Sequence, residues 1–246
     1  TDPVAAADRS ILIRSTLRAL AQQQGYRISF SPSVLAGGVG NGGHVHLSAW
    51  RDGQNLHGTG EGRYGMTPEA EAFAAGVLDA LPALAAVNTP SPASFLRLQP
   101  SHWAGIYACW GHETREAALR VVTGMTGVRD TAANLEVKAV DLAANPYLVF
   151  AGLLTAGLDG IDRGRSLPAE ITGDPSRFTA DELRARGIRP LPATMDDAVG
   201  EFTGGILSKA WDELLVDAIV AVRRGEAARM AGESPIGVAE AYRWVY

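Results

Sequence analysis

The sequence predicts an α+β fold. Short apolar runs of strand character occupy the chain up to Val140, cap-and-period helix signatures dominate from Asn145 onward, and no regular strand–helix alternation joins them. A chain of 246 residues with 46 % apolar content forms one or two domains and buries a substantial core.

The first element is nonetheless a helix: Asp2 as N-cap, Pro3 at the first helical position, apolar Ile11, Ile13, Leu17 and Leu20, and Gly25 as the stop define 3–24. Tyr26–Phe30 alternates apolar with polar up to Ser-Pro-Ser, and Val45–Trp50 alternates again after a glycine-rich turn, so both read as strands. Thr67-Pro68 opens a second helix running to about Val87, with Pro82 as an interruption or kink. Three further apolar runs, Ile106–Trp110, Ala117–Val122 and Leu135–Val140, read as strands. Asn145-Pro146 caps an apolar helix. Thr179 and Glu182 form a capping box, Thr194 starts a short helix, and Ser208 starts a long one to about Met230.

Composition excludes several functions. The net charge of −5 arises from 22 basic and 27 acidic residues scattered along the chain, leaving no basic tract to follow a phosphate backbone; nucleic acid is not an expected partner. The single cysteine, Cys109, offers neither an internal disulfide nor metal-binding spacing, and reads as a small buried apolar residue. The apolar stretch Tyr147–Leu158 is too short and too rich in Gly, Ala and Thr to span a bilayer, and no charged-then-apolar leader opens the chain. A cytoplasmic protein without a membrane partner is therefore expected, and the start at Thr1 without methionine suggests a fragment.

Four segments could carry chemistry. Gly38–Gly43 matches G-x-G-x-x-G, but it leads into the strand-like His44-Val45-His46-Leu47-Ser48 and not into a helix, which removes the dinucleotide reading. On a strand, His44, His46 and Ser48 share one face while Val45 and Leu47 face the core; this polar stripe suits a metal or phosphate site or simply a half-exposed sheet face. A zinc hydrolase built on H-x-H is a further alternative, for which only His57, His102 and His112 remain as partners. Arg97, Arg115 and Arg120 near strand ends suit an anionic substrate, though each alone is an ordinary surface arginine. Glu136 and Lys138 share a strand face, for which the plain alternative is a cross-strand salt bridge.

Taken in order, GNGGHVHLS (40–48), FLRLQPSHWAGIYACWG (95–111), REAALR (115–120) and NLEVKAVDLAANPYL (134–148) resemble the catalytic domain of the glutamine synthetase superfamily, and the likeness runs from DPVAAADRS (2–10) to the terminal EAYRWVY. The resemblance implies an antiparallel-rich curved sheet packed with helices. It also implies that residues 1–246 are the C-terminal part of such a domain, lacking the N-terminal β-grasp domain and the first catalytic strands. His44 and Glu136 would bind a magnesium or manganese ion that grips ATP; His46 and Ser48 would face the nucleotide; Arg115 and Arg120 would meet the transferring phosphate. Arg97 and Lys138, with the backbone at Gly40, would hold glutamate. The implied reaction phosphorylates the γ-carboxylate of glutamate, and an amine then attacks the acyl phosphate.

Departures from the family pattern carry their own expectations. Where ordinary members read P-G-Y-E, this chain has Pro100-Ser101-His102-Trp103, and Trp103 offers apolar area that suits an organic amine better than ammonium. Asn134 and Lys138 replace two arginines, and Val39 replaces an asparagine, which leaves open a non-catalytic scaffold that kept the fold. The segment 95–120 is more similar to the branch containing nodulin-type and fungal developmental proteins. Because family sites form between subunits of double-ring homo-oligomers, the chain alone is expected to be inactive.

Overall fold

A computed structural model describes residues 2–100, 102 and 104–246. Asp2 caps helix α1 (Pro3–Gln23) by accepting from the Ala5 amide, as the cap-plus-proline pattern requires. Strand β1 (Gly42–Leu47) follows, then a small hairpin of β2 (Trp50–Arg51) and β3 (Gln54–Asn55). Its Asp52-Gly53 turn takes positive φ at both residues, the chemistry of a two-residue hairpin. Helix α2 (Pro68–Asn88) is capped by Thr67 and continues through Pro82 without a break. The amide that proline lacks is offset by burial of nearly the whole helix. By length and composition α2 could cross a membrane, but 89 % of its most apolar window is buried inside the fold, so it is a core helix.

The short helix α3 (Ser94–Arg97) leads to β4 (Tyr107–Ala108), β5 (Trp110–His112) and β6 (Leu119–Val122). A turn-like helix α4 (Arg129–Ala132) precedes β7 (Asn134–Asp141), and Asn145 caps the apolar α5 (Pro146–Asp162) through the amides of Tyr147 and Leu148. The Thr179–Glu182 capping box forms at α6 (Ala180–Ala185). Beyond β8 (Arg189–Pro190) come α7 (Met195–Gly204), capped by Thr194, then α8 (Ile206–Ala210), α9 (Glu213–Arg229) and α10 (Pro235–Tyr242).

The main sheet has the order β1-β7-β6-β5, antiparallel at β1/β7 and β7/β6 and parallel at β6/β5. Strand pairs β2/β3 and β4/β8 stand apart from it. One face of the sheet, with Val45, Leu47, Leu119, Val121, Leu135 and Val137, packs toward α2; α5 and α7 cover α2 from the other side. Layers of this kind follow from strands that alternate apolar and polar and therefore bury one face only.

Four expectations need correction. Val45–Trp50 is not one strand: β1 ends at Leu47, Ser48 lies beyond it, and Trp50 opens β2 in a separate pair. Tyr26–Phe30 is not a strand: it runs as an extended tie to the C-terminus, where the Phe30 amide donates to the Tyr246 carbonyl and Ser29 Oγ to that of Arg243. The run 106–110 divides at Cys109 into β4 and β5, which join different sheets. The helix expected from Ser208 breaks at Trp211, and α9 starts afresh under its own cap, Asp212. Pattern reading shows where apolar residues recur, whereas these breaks depend on which partner each segment finds. Cys109 itself is buried, and burial pushes its thiol up to about 12.

His57, between β3 and α2, is 2 % exposed, and burial pushes its imidazole down to about 4 from the ordinary 6.5. The unfolded chain takes up this proton near pH 6.5 and the folded chain only near 4, so stability falls as pH drops through that window, by up to about 3 kcal/mol. Urea unfolding at pH 7 and pH 4 measures the loss, and His57→Gln is expected to flatten the slope; an unchanged slope would place its origin elsewhere.

Candidate active site

The polar face of the sheet gathers its side chains through strand register. His46 on β1 lies directly opposite Glu136 on β7, and Glu136 lies opposite Arg120 on β6, so three strands line up one row of chemistry. His44 joins the row through an irregularity. Between Gly43 and Val45 the register slips by one residue against Val140 and Val137, a bulge that re-aims the side chain at that point.

Glu136 is the hub. Its carboxylate, 4 % exposed, accepts from His44 Nδ1 at 2.6 Å on Oε1 and from Arg120 Nη1 at 3.0 Å on Oε2; His46 Nε2 lies 3.9 Å from Oε1. Burial works to raise its pKa, but the hydrogen bonds from His44 and Arg120 outweigh it and bring the carboxyl down to about 2. The anion is thus kept ionised in a largely desolvated place. Lys138, two residues on, does not pair with it as a simple salt bridge; its Nζ donates to the Arg115 carbonyl, and burial lowers its pKa.

The second histidine has its tautomer assigned by a neighbour. His46 Nδ1 lies 2.8 Å from Asn134 Oδ1, while the Asn134 amide nitrogen donates to the Ala132 carbonyl. The ring therefore donates from Nδ1 and keeps the Nε2 lone pair toward Glu136. Ser48 Oγ accepts from Trp50 Nε1 at 2.9 Å, and a cleft of about 500 Å³ opens beside His46, Ser48, Trp50, His57 and Phe73.

Arg120 is held at both ends: Nη1 on Glu136 and Nη2 on Glu113 Oε2 at 2.5 Å, with its buried Nε unpartnered among the described residues. Arg115 is exposed, with no side-chain partner among the described residues. Gly40 and Arg97 are in contact: a Cβ at Gly40 would fall 2.2 Å from Arg97 Cγ, so only glycine admits the arginine there. The Arg97 guanidinium is itself engaged, donating to Asp141 at 2.8–2.9 Å and to the Val140 carbonyl within the fold. Its Nε and Nη2 are taken by these bonds, and Nη1, beside Gly42, is the nitrogen left for a substrate carboxylate. Trp103 lies outside the described residues.

The donor set fits part of a cation's ligand shell, an imidazole beside an ionised carboxylate, and a cation held between them would take the place of the hydrogen bond that His44 Nδ1 donates to Glu136. Among the described residues no group of three or more His, Cys, Asp or Glu gathers that could hold a metal, so a zinc site of the hydrolase kind has no third ligand there. A concavity of about 950 Å³ among α2, α5, α7 and α8 lies away from this face, and its walls are ion-paired, as in Arg165 with Asp79 and Arg189 with Glu201. Sequence reasoning missed Glu113, Asp141 and the role of Asn134; the acid–base alternation Glu113, Arg115, Glu116 is the one signal that could have drawn attention to the first.

The family model for the glutamine synthetase catalytic domain matches residues 1–236. The gamma-glutamylpolyamine synthetase GlnA3 of Streptomyces coelicolor is 60 % identical over 245 residues, which cover 99 % of this chain and 53 % of the relative. The type-1 glutamine synthetase 1 of Dictyostelium discoideum is 35 % identical over 81 % of this chain and 39 % of its own. A crystal structure of a novel glutamine synthase homolog superposes with a TM-score of 0.86 at 37 % identity, covering 99 % of this chain and 54 % of that one. The chain therefore spans about half the length of the relatives it matches most extensively. With the His44–Glu136–Arg120 row on its sheet, this chain belongs to the glutamine synthetase catalytic domain family.

Proposed function

We propose that the chain is the C-terminal catalytic part of an ATP- and metal-dependent ligase that joins the γ-carboxylate of glutamate to an organic amine. One observation carries the reading: a buried, ionised carboxylate, Glu136, at which His44 and Arg120 converge on one sheet face. Likeness to a gamma-glutamylpolyamine synthetase at 60 % identity supports an organic amine as acceptor over ammonia.

In this reading His44 and Glu136 hold a magnesium or manganese ion, which when bound polarises the phosphate oxygens and neutralises their charge. The cleft beside His46, Ser48 and Trp50 receives the nucleotide, with the indole and imidazole as its flat walls. Arg120 and the exposed Arg115 pair with the phosphoryl group as it leaves ADP for the glutamate carboxylate. Lys138 and Arg97, with Gly40, stand at the glutamate end, and the family resemblance assigns Trp103 a part in acceptor choice. The amine nitrogen attacks the acyl carbon, phosphate departs, and the amide nitrogen gives up its proton. Positioning and charge neutralisation supply the rate, since no side chain here forms a covalent intermediate.

The exposed apolar residues of α1, among them Leu12, Ile13 and Leu20, leave a face uncovered on a chain half the length of its relatives. This supports a homo-oligomer in which further segments complete the site, and an isolated chain without activity. The test is ADP release by the intact protein with glutamate and a panel of polyamines, monoamines and ammonium. Turnover with an organic amine, lost in His44→Ala, is expected. Metal-dependent nucleotide binding without turnover on any amine would refute the ligase reading, and absence of both would favour a scaffold, consistent with the closed Arg97–Asp141 pair.

A further inference from the structure

We propose that Glu113 is a positioning residue for Arg120, fixing the plane in which its guanidinium meets the transferring phosphoryl group; the proposal rests on the ligase reading above. Glu113 directly follows β5 and adopts a left-handed backbone, φ 51°, which a residue with a Cβ takes up only where its surroundings hold it. Three hydrogen bonds hold it. Its amide donates to the Val121 carbonyl at 3.0 Å, Oε1 accepts from the Thr123 amide at 3.0 Å, and Oε2 accepts from Arg120 Nη2 at 2.5 Å.

The consequence falls on Arg120. A guanidinium anchored by one terminal nitrogen pivots about that bond, whereas anchors on both terminal nitrogens define its plane. Here the two anchors come from different segments, Glu136 on β7 and Glu113 beyond β5, so the fork is clamped across the sheet. Each terminal nitrogen carries a second N–H that these two bonds leave over for a phosphate oxygen. The division of labour is also clear: Glu136 is shared with His44, while Glu113 contacts Arg120 and Thr123 and no histidine of the site. A lysine at position 120 would have a charge but no plane to fix.

A double-mutant cycle on the intact protein tests this, with ADP release as the assay and Glu113→Ala, Arg120→Lys and their combination as variants. In the natural background Glu113→Ala is expected to lower kcat about tenfold to a hundredfold, the usual cost of a misplaced reacting group, with KM for glutamate within about twofold. In the Arg120→Lys background the same change should alter kcat by less than about twofold, since the group it acts through is gone. Glu113→Gln keeps the size and the Thr123 contact and is expected to fall between. Nitrogen NMR of the Arg120 side chain gives an independent readout: distinct Nη signals in the natural protein, merged by faster rotation in Glu113→Ala. Equal losses in both backgrounds, or Nη signals that stay distinct, would overturn the proposal and leave Glu113 a loop anchor only. An intact protein with turnover but indifferent to Glu113→Ala sinks this proposal alone; one with no turnover on any amine sinks it together with the ligase reading.

Discussion

Glu136→Gln in the intact protein is expected to reduce kcat/KM for ATP-dependent amide formation by at least about a hundredfold, with the fold retained. Glutamine preserves volume and one acceptor oxygen but removes the charge that His44 and Arg120 share and that the proposed cation would need. Loss of a preorganised charged contact at a reacting phosphate costs on the order of a hundredfold to a thousandfold, and loss of a ligand's outer partner on the order of tenfold to a hundredfold. The same variant has a signature in the metal-free protein. The folded-state pKa of Glu136, about 2, lies below its ordinary 4.5, so the carboxylate contributes stability above pH 4.5 and loses it as pH falls toward 2. Because His44 and Arg120 are partly exposed, the contribution is about 1–2 kcal/mol and not the larger figure the shift alone implies. Urea unfolding in the presence of chelator should show natural protein and Glu136→Gln converging in stability over that window. Parallel curves would mean that the carboxylate is not paired as described.

Gly160→Val is expected to lower the stability of the fold by about 3 kcal/mol or more. At Gly76 and Gly160 helices α2 and α5 meet backbone to backbone: a Cβ at Gly160 would meet the Ala72 carbonyl oxygen at 2.2 Å and Gly76 Cα at 2.7 Å, and a Cβ at Gly76 would meet the Ala156 oxygen at 2.2 Å. The obstacles are backbone atoms, which cannot rotate aside, so the helices must separate. Separation also lifts Phe73 from Gly157, where a Cβ would fall 2.1 Å from the ring. Overpacking of this sort costs about 3 kcal/mol or more, and α2 is the helix on which the sheet, α5 and α7 all rest. Against a total stability of roughly 5–15 kcal/mol the loss is a large share of the whole. Gly200 supplies the contrast. It sits within α7 with open space around it, so Gly200→Ala should stabilise by up to about 1 kcal/mol. Equal urea midpoints for Gly160→Ala and Gly200→Ala would contradict the close crossing.

Much of the helical framework was legible because caps are local chemistry. Asp2, Thr67, Asn145, Thr179 and Thr194 each announce a helix start by residue type and spacing, and each accepts the amide its position implies. Strands were legible as apolar runs but not in their extents or partners. Nothing within Ile106–Trp110 says that Cys109 divides two sheets, and nothing in Tyr26–Phe30 says that its partner is Tyr246. The same distinction holds at the site. Alternation put His44, His46 and Ser48 on one face, and resemblance put Glu136 with them, whereas the ties of Arg97 to Asp141 and of Arg120 to Glu113 join residues whose proximity is created by tertiary register. Pairings of that kind depend on how β5, β6 and β7 line up, and no periodicity encodes them.

Convergence of His44 and Glu136 on one cation underlies the proposed chemistry, and manganese titration of the intact protein, followed by paramagnetic broadening of histidine ring signals, tests it most directly. His44 should broaden first, His46 next, with His57 and His112 unaffected at the same manganese concentration, and Glu136→Gln should remove the effect. Broadening that spares His44, or that survives Glu136→Gln unchanged, would contradict it.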